Sequence, residues 1–299
     1  MSFTDSSVIP YGLLVMHAMD IYRQQTCPPA PKAPPAPPTG GGSLIGYIFG
    51  TDTILLGHPQ VNSGPLQGLD AKVCYGTVVR RGDTEEVVAL RATDGFAEWV
   101  EDGEFLMMPY APAHPVPAGA AGVSVEQGFW GIYHSLLLTD AAGTVKGPVA
   151  RQLPAMVDPT DRVVVAGHSL GAALATYLTL DLARGTLGPR TSGCFFASPH
   201  PGNQAFASLF ARSASDYVVY YYVLDVVPRM PLTDMGYCAL PNVRAIQPQT
   251  AQAEIAVGLG CNHHIICYLA MLDCRRGKKP APNASADRIP ASRPWRTRW

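Results

Sequence analysis

Arg162-Val163-Val164-Val165-Ala166-Gly167-His168-Ser169-Leu170-Gly171-Ala172-Ala173-Leu174-Ala175 is the stretch whose reading decides the fold. It opens as a β-branched run without polar alternation, and from Leu170 to Ala183 the pattern turns helical. Gly-x-Ser-x-Gly by itself is a weak pattern in a chain with 29 glycines. Placed between a strand and a helix it becomes specific. A serine at so sharp a turn takes strained backbone angles, and glycines two positions before and two after it relieve the crowding. The adjoining helix N-terminus favours negative charge developing nearby. Ser169 is therefore the candidate nucleophile.

Outward from the elbow, further strands appear. Cys194–Ala197 and Tyr217–Leu224 are apolar runs of the kind buried on both faces of a largely parallel sheet. Ala71–Arg80 and Glu85–Arg91 read as a hairpin around Arg81-Gly82-Asp83-Thr84, and Asn203 can cap a short helix through Arg212. Alternating strands and helices predict a three-layer α/β architecture. At the start, Asp5–Gln25 reads as a helix with Pro10 in its first turns. The expected organisation is an N-terminal helix (1–26), a Pro/Gly-rich linker or loop (27–43), an α/β unit (44–274) and a basic tail (275–299).

Composition narrows the function. The chain is 47% hydrophobic and 15% charged, with a formal net charge of -1. Eight of its 22 Lys+Arg lie in residues 275–299 beside one acid, Asp287, which leaves the body with 14 basic and 22 acidic residues. An acidic body argues against nucleic-acid binding. The tail reads as a solvated end; contact with anionic lipid is its alternative. No apolar run is long enough to span a bilayer. The first basic residue, Arg23, follows the apolar stretch Tyr11–Met19, the wrong order for a secretory signal. Seven cysteines without a Cys-x-x-Cys pair argue against a zinc ribbon or a disulfide scaffold, although a single bridge such as Cys238–Cys261 fits the count. Cytoplasmic residence is the default expectation, with export by a signal-less route as the alternative. No cofactor or metal is implied, because no His/Cys/acid cluster has ligand spacing.

A nucleophilic serine needs a base and an acid, in the chain order Ser, Asp or Glu, His. Of the acids after Ser169, Asp225 alone follows a buried strand at its carboxyl end, where ligand sites of open α/β sheets lie. His200 precedes Asp225 and breaks the order. His263 and His264 remain, and only one of two neighbours can point at Ser169.

The chain resembles a class 3 lipase, the fungal-lipase-like branch of the α/β-hydrolases. The segments carrying the resemblance fall in family order: VVALRAT (87–93), EWVED (98–102), EQGFWGIY (126–133), VVVAGHSLGAALA (163–175), FFASPHPGN (195–203), YYVLDVVPRMP (221–231) and NHHIICYL (262–269). The resemblance implies an α/β-hydrolase fold, a central mostly parallel sheet flanked by helices. It also implies Ser169 as nucleophile, Asp225 as acid, and an oxyanion hole from Thr93 and Leu170. The histidine of such proteins often stands five residues before a tyrosine, which selects His263 relative to Tyr268 and leaves His264 as the alternative. Three positions depart from the family pattern: Ala92 in Arg91-Ala92-Thr93, Glu126-Gln127 before Gly128-Phe129, and His200 after Ser198-Pro199. Residues 93–104, with Phe96, Trp99 and Val100 on one helical face, fall where such lipases carry a lid; a plain surface helix is the other reading.

The function implied is hydrolysis of acylglycerol or short acyl esters through an acyl-enzyme, with an ester or lipid substrate met in solution or at a lipid–water interface. Phospholipid or aryl (feruloyl) ester cleavage on the same fold is the alternative. A catalytically silent scaffold using the PxxP stretch and basic tail for protein binding is the reading from another class, and the intact Ser/Asp/His order argues against it.

Overall fold

The computed structural model describes residues 3–23, 42–51, 72–93, 105–111, 122–248 and 262–275. The expected linker up to residue 41, the lid stretch beyond Thr93, Cys261 and the tail beyond Arg275 lie outside the described residues.

Thr4–Ser7 closes a turn, with the Ser7 N–H donating to the Thr4 carbonyl at 2.9 Å and the Thr4 N–H to Ser7 Oγ at 2.9 Å. Helix α1 (Ile9–Arg23) starts after it, later than the Asp5 that the pattern suggests. Ser and Thr side chains compete for their own backbone here, whereas Pro10, lacking an N–H, loses nothing in a first turn.

Then follow strands β1 (Ser43–Thr51), β2 (Lys72–Arg81), β3 (Glu85–Leu90), β4 (Met107–Pro109) and β5 (Ser124–Glu126), and helix α2 (Gln127–Ser135). Next come β6 (Leu137–Thr139), β7 (Val145–Pro148), α3 (Val149–Met156), β8 (Arg162–His168) and α4 (Leu170–Arg184). The chain continues through β9 (Thr191–Phe196), β10 (Gly202–Asn203), α5 (Gln204–Ser213), β11 (Asp216–Tyr222), β12 (Tyr237–Cys238), β13 (Val243–Ile246) and α6 (Ile265–Arg275).

The central sheet has the order β13-β11-β9-β8-β3-β2-β1-β6-β7 among the described residues. From β3 to β13 every neighbouring pair is parallel, and this half carries the strand ends that matter below. The other half is antiparallel, beginning with the β2–β3 hairpin whose register closes at Arg81↔Glu85. A small antiparallel sheet, β12-β10-β5-β4, sits beside it.

Alternation along the strands divides the core into two layers. Val163, Val165, Phe195 and Val219 face α4, with Phe129, Leu153, Phe206 and Phe210 of the neighbouring helices. Val164, Ala166, Phe196 and Tyr220 face α1 and α6, meeting Leu14, Val15, Tyr268 and Leu272. Strands β8 and β9 are thus buried on both sides, which is why their sequences lack polar alternation. Helix α1 is packed tightly onto α6, since a Cβ on Gly12 would lie 2.4 Å from Leu269 Cδ2. Among the described residues no helix is long and apolar enough to cross a membrane.

Candidate active site

The elbow forms for steric reasons that the sequence states. Ser169 sits between β8 and α4 at φ 58°, ψ -128°, outside the region an ordinary residue prefers. A Cβ on Gly167 would meet the Gly171 carbonyl oxygen at 2.2 Å, and one on Gly171 would meet the Arg91 carbonyl oxygen at 2.3 Å. Both glycines are therefore required by close backbone approach. The strained turn is pinned by the Ser169 N–H, which donates to the Phe196 carbonyl at 3.0 Å, and by the start of α4, where the Ala172 N–H reaches the Ser169 carbonyl at 2.9 Å.

Asp225 lies three residues past the end of β11, in a turn closed by its own N–H on the Tyr222 carbonyl at 3.0 Å. Its carboxylate is buried and fully engaged. Oδ1 accepts from the Val227 N–H at 3.0 Å, and Oδ2 accepts from the Tyr268 hydroxyl at 2.7 Å and from His263 Nδ1 at 2.8 Å. The other ring nitrogen, His263 Nε2, stands 2.7 Å from Ser169 Oγ. A carboxylate only accepts, so the neutral ring keeps its proton on Nδ1 and leaves Nε2 to accept from the serine hydroxyl. His264 points elsewhere, its Nδ1 accepting from the Ile266 N–H at 3.3 Å at the start of α6. The pair that the residues alone left open is thus divided by geometry: His263 reaches Ser169 Oγ, and His264 caps the helix.

Beneath His263 lies His168, buried, its ring centroid 4.9 Å away and tilted by 35°. Burial pushes the His168 pKa well below the usual histidine range, and the neighbouring histidines push the same way. It is a neutral, flat support for the other ring.

Leu170 opens α4 immediately after Ser169, and Thr93 follows the end of β3. The β3–β8 register sets Leu90 against Gly167, and Gly171 packs on the Leu90 and Arg91 carbonyls. The segment leading to Thr93 therefore runs directly across the elbow. Glu126 caps α2, accepting from the Phe129 N–H at 2.6 Å. His200 is held by the Pro231 carbonyl at 2.7 Å and lines a cavity of about 330 Å³ with Tyr221, Arg229 and Leu240, none of them part of the Ser169 cluster. Among the described residues no group of His, Cys, Asp and Glu could hold a metal ion.

Comparison with known proteins bears on the family resemblance and the fold. Residues 87–235 match the model of the lipase (class 3) family, a span holding Ser169 and Asp225. Over this span, about half of its length, the chain is similar to the class 3 lipases. The secreted mono- and diacylglycerol lipase A of Penicillium cyclopium is 34% identical over 151 residues, covering 50% of this chain and 44% of that protein. Phospholipase A1-II 7 of Oryza sativa subsp. indica is 28% identical over 309 residues, covering 88% and 75%. A solved structure from a family of fungal lipases superimposes with a TM-score of 0.56 at 22% identity, over 85% of this chain and 84% of its own, which speaks for the fold alone. The chain spans less than half the length of the Penicillium protein it matches.

Two supporting residues of this site escape sequence reasoning. Tyr268 served only as a spacing marker for His263, yet its hydroxyl is bound to the Asp225 carboxylate. His168 lies inside the elbow motif as its variable position, and nothing local announces that its ring will lie against a residue 95 positions away.

Proposed function

We propose that the chain is a serine carboxylic ester hydrolase that cleaves acylglycerols or short acyl esters through an acyl-enzyme. The observation that carries this reading is the unbroken relay Asp225 Oδ2, His263 Nδ1, His263 Nε2, Ser169 Oγ, with steps of 2.8 and 2.7 Å, at a strained strand–helix elbow. His263 Nε2 takes the hydroxyl proton as Ser169 Oγ attacks the ester carbonyl, and Asp225 holds the resulting imidazolium. The negative charge gathers on the carbonyl oxygen, where the backbone N–H groups of Leu170 and Thr93 would receive it. His263 then returns the proton to the leaving alcohol. Water, activated by the same nitrogen, attacks the acyl carbonyl and frees Ser169. Cleavage of the sn-1 ester of a phospholipid is the second reading, favoured by the similarity to a rice phospholipase A1 across 88% of the chain.

We further place the substrate at a lipid–water interface. Leu224 and Val226 flank Asp225 with 53% and 45% exposure, and Leu232 and Met235 follow with 49% and 43%, a set of apolar side chains on the loops next to the acid. Residues 44–274 form the proposed catalytic unit, with the N-terminal helix docked on it. Cytoplasmic residence is the proposed location, with export by a signal-less route as its alternative.

Hydrolysis of p-nitrophenyl esters from acetate to palmitate, beside diacylglycerol and phosphatidylcholine in mixed micelles, tests the reading. Wild type is expected to cleave esters and Ser169→Ala to lose at least about a thousandfold in kcat/KM. A folded wild type inactive on every ester, with a lipid interface present, overturns it.

A further inference from the structure

Arg91 is the most completely buried cation among the described residues, with 0% of its surface exposed. A guanidinium in that position costs several kcal/mol unless its surroundings replace water. Its replacement partners are unusual. Nε donates to the Cys74 carbonyl at 2.5 Å, Nη1 donates to the Ala92 carbonyl at 2.7 Å, and the flat guanidinium lies 3.5 Å from the ring centroid of Tyr22 and 4.7 Å from that of Tyr75. The described ion pairs include no carboxylate for it. A structural cation needs no such arrangement; a methionine would fill the space at lower desolvation cost.

The Ala92 carbonyl belongs to the same peptide unit as the Thr93 N–H. In a trans peptide the two groups point in opposite directions. A charged hydrogen bond on the oxygen therefore fixes the plane with the N–H turned away from Arg91. It also draws electron density toward the oxygen and makes that N–H a stronger donor. The segment already lies across the elbow, because Gly171 packs on the Arg91 carbonyl.

We propose that Arg91 is a positioning residue for ester hydrolysis: clamped between Tyr22 of α1 and Tyr75 of β2, it orients and polarises the Ala92–Thr93 peptide so that the Thr93 N–H is preset to receive the oxyanion. The proposal rests on the hydrolase reading above and extends it, tying the N-terminal helix to the chemistry through a single cation–π contact.

The test compares wild type, Arg91→Met, Arg91→Lys and Tyr22→Leu on p-nitrophenyl butyrate, with thermal unfolding as the check on folding. A trifluoromethyl ketone, whose hemiketal oxygen occupies the oxyanion site, reports the hole directly. Arg91→Met is expected to lower kcat by about 10–100-fold with KM within threefold, and to weaken the ketone by the same factor. Arg91→Lys should fall between, lacking the planar fork, and Tyr22→Leu should lose about two- to tenfold in kcat with the arginine still in place. A purely structural role would lower the unfolding temperature without moving the ketone's affinity relative to KM. The proposal is overturned if folded Arg91→Met or, should that variant not fold, Tyr22→Leu keeps kcat and ketone affinity within 1.5-fold of wild type. A wild type that neither hydrolyses the ester nor binds the ketone removes the hydrolase reading itself, a result distinct from unchanged variants of an active enzyme.

Discussion

Tyr268 joins strand, acid and helix through one oxygen. Its hydroxyl donates to Asp225 Oδ2 and accepts from the Tyr222 N–H at 2.9 Å. Pairing of β9 with β11 ends at Phe196↔Tyr220, so the hydroxyl takes over where the neighbouring strand stops. Burial and the adjacent carboxylate push the Tyr268 pKa well above the usual tyrosine range, which keeps it a donor at any working pH. Tyr268→Phe leaves a buried N–H without its acceptor and the carboxylate one donor short, and should lower stability by about 1–3 kcal/mol. A looser Asp225 should also cost about tenfold in kcat with KM little changed. Urea unfolding and ester kinetics on the same preparation check both expectations. Position five after His263 was visible in the sequence, but the function of the hydroxyl was not, because its partners come from β11 and the turn that follows.

At the scale of elements, helix α2 shows how a cap can carry a titration. Glu126 is buried at its N-cap, and desolvation raises its carboxyl from 4.5 to about 7, against the opposing pull of the Phe129 and Gly128 N–H groups. Between those values the folded state holds a proton that the unfolded state has lost. Stability therefore falls as pH rises through that window, by on the order of 3 kcal/mol in total, and the loss is complete above about pH 7. Glu126→Gln keeps an oxygen for the Phe129 N–H and removes the titration. Its unfolding free energy should be flatter than wild type between pH 5 and pH 8, with the variant relatively more stable at pH 8; parallel pH profiles would contradict this. Elements themselves were read with good registration where local chemistry is explicit. Asn203 does cap α5, accepting from the Phe206 N–H at 2.9 Å, and the β2–β3 turn lies where Gly82-Asp83 demands it. Strand β11 ends at Tyr222 rather than Leu224, because the Asp225 turn begins there.

Across the whole molecule, the two faces of the sheet have divided roles. One face packs α4, which starts at Ser169, and the other packs α1 and α6, which hold Tyr22, His263's neighbours and Tyr268. The architecture was legible because doubly buried strands advertise themselves by lacking alternation, and because the elbow's glycines answer to backbone contacts within a few residues. Arg91 was illegible for the opposite reason: a charged residue at a strand end reads as surface, and its burial depends on a helix some 70 positions earlier. The choice between His263 and His264 likewise depends on tertiary geometry, since adjacent residues share every local signal.

The central claim is that His263, and not its neighbour, activates Ser169. Labelling with an alkyl fluorophosphonate, read by intact-protein mass spectrometry and peptide mapping, tests it without reference to any particular ester. The account predicts one adduct per chain, on Ser169, formed at least about a hundredfold more slowly in His263→Ala and at an undiminished rate in His264→Ala. An adduct elsewhere, or a rate that collapses in His264→Ala while His263→Ala reacts normally, would contradict it.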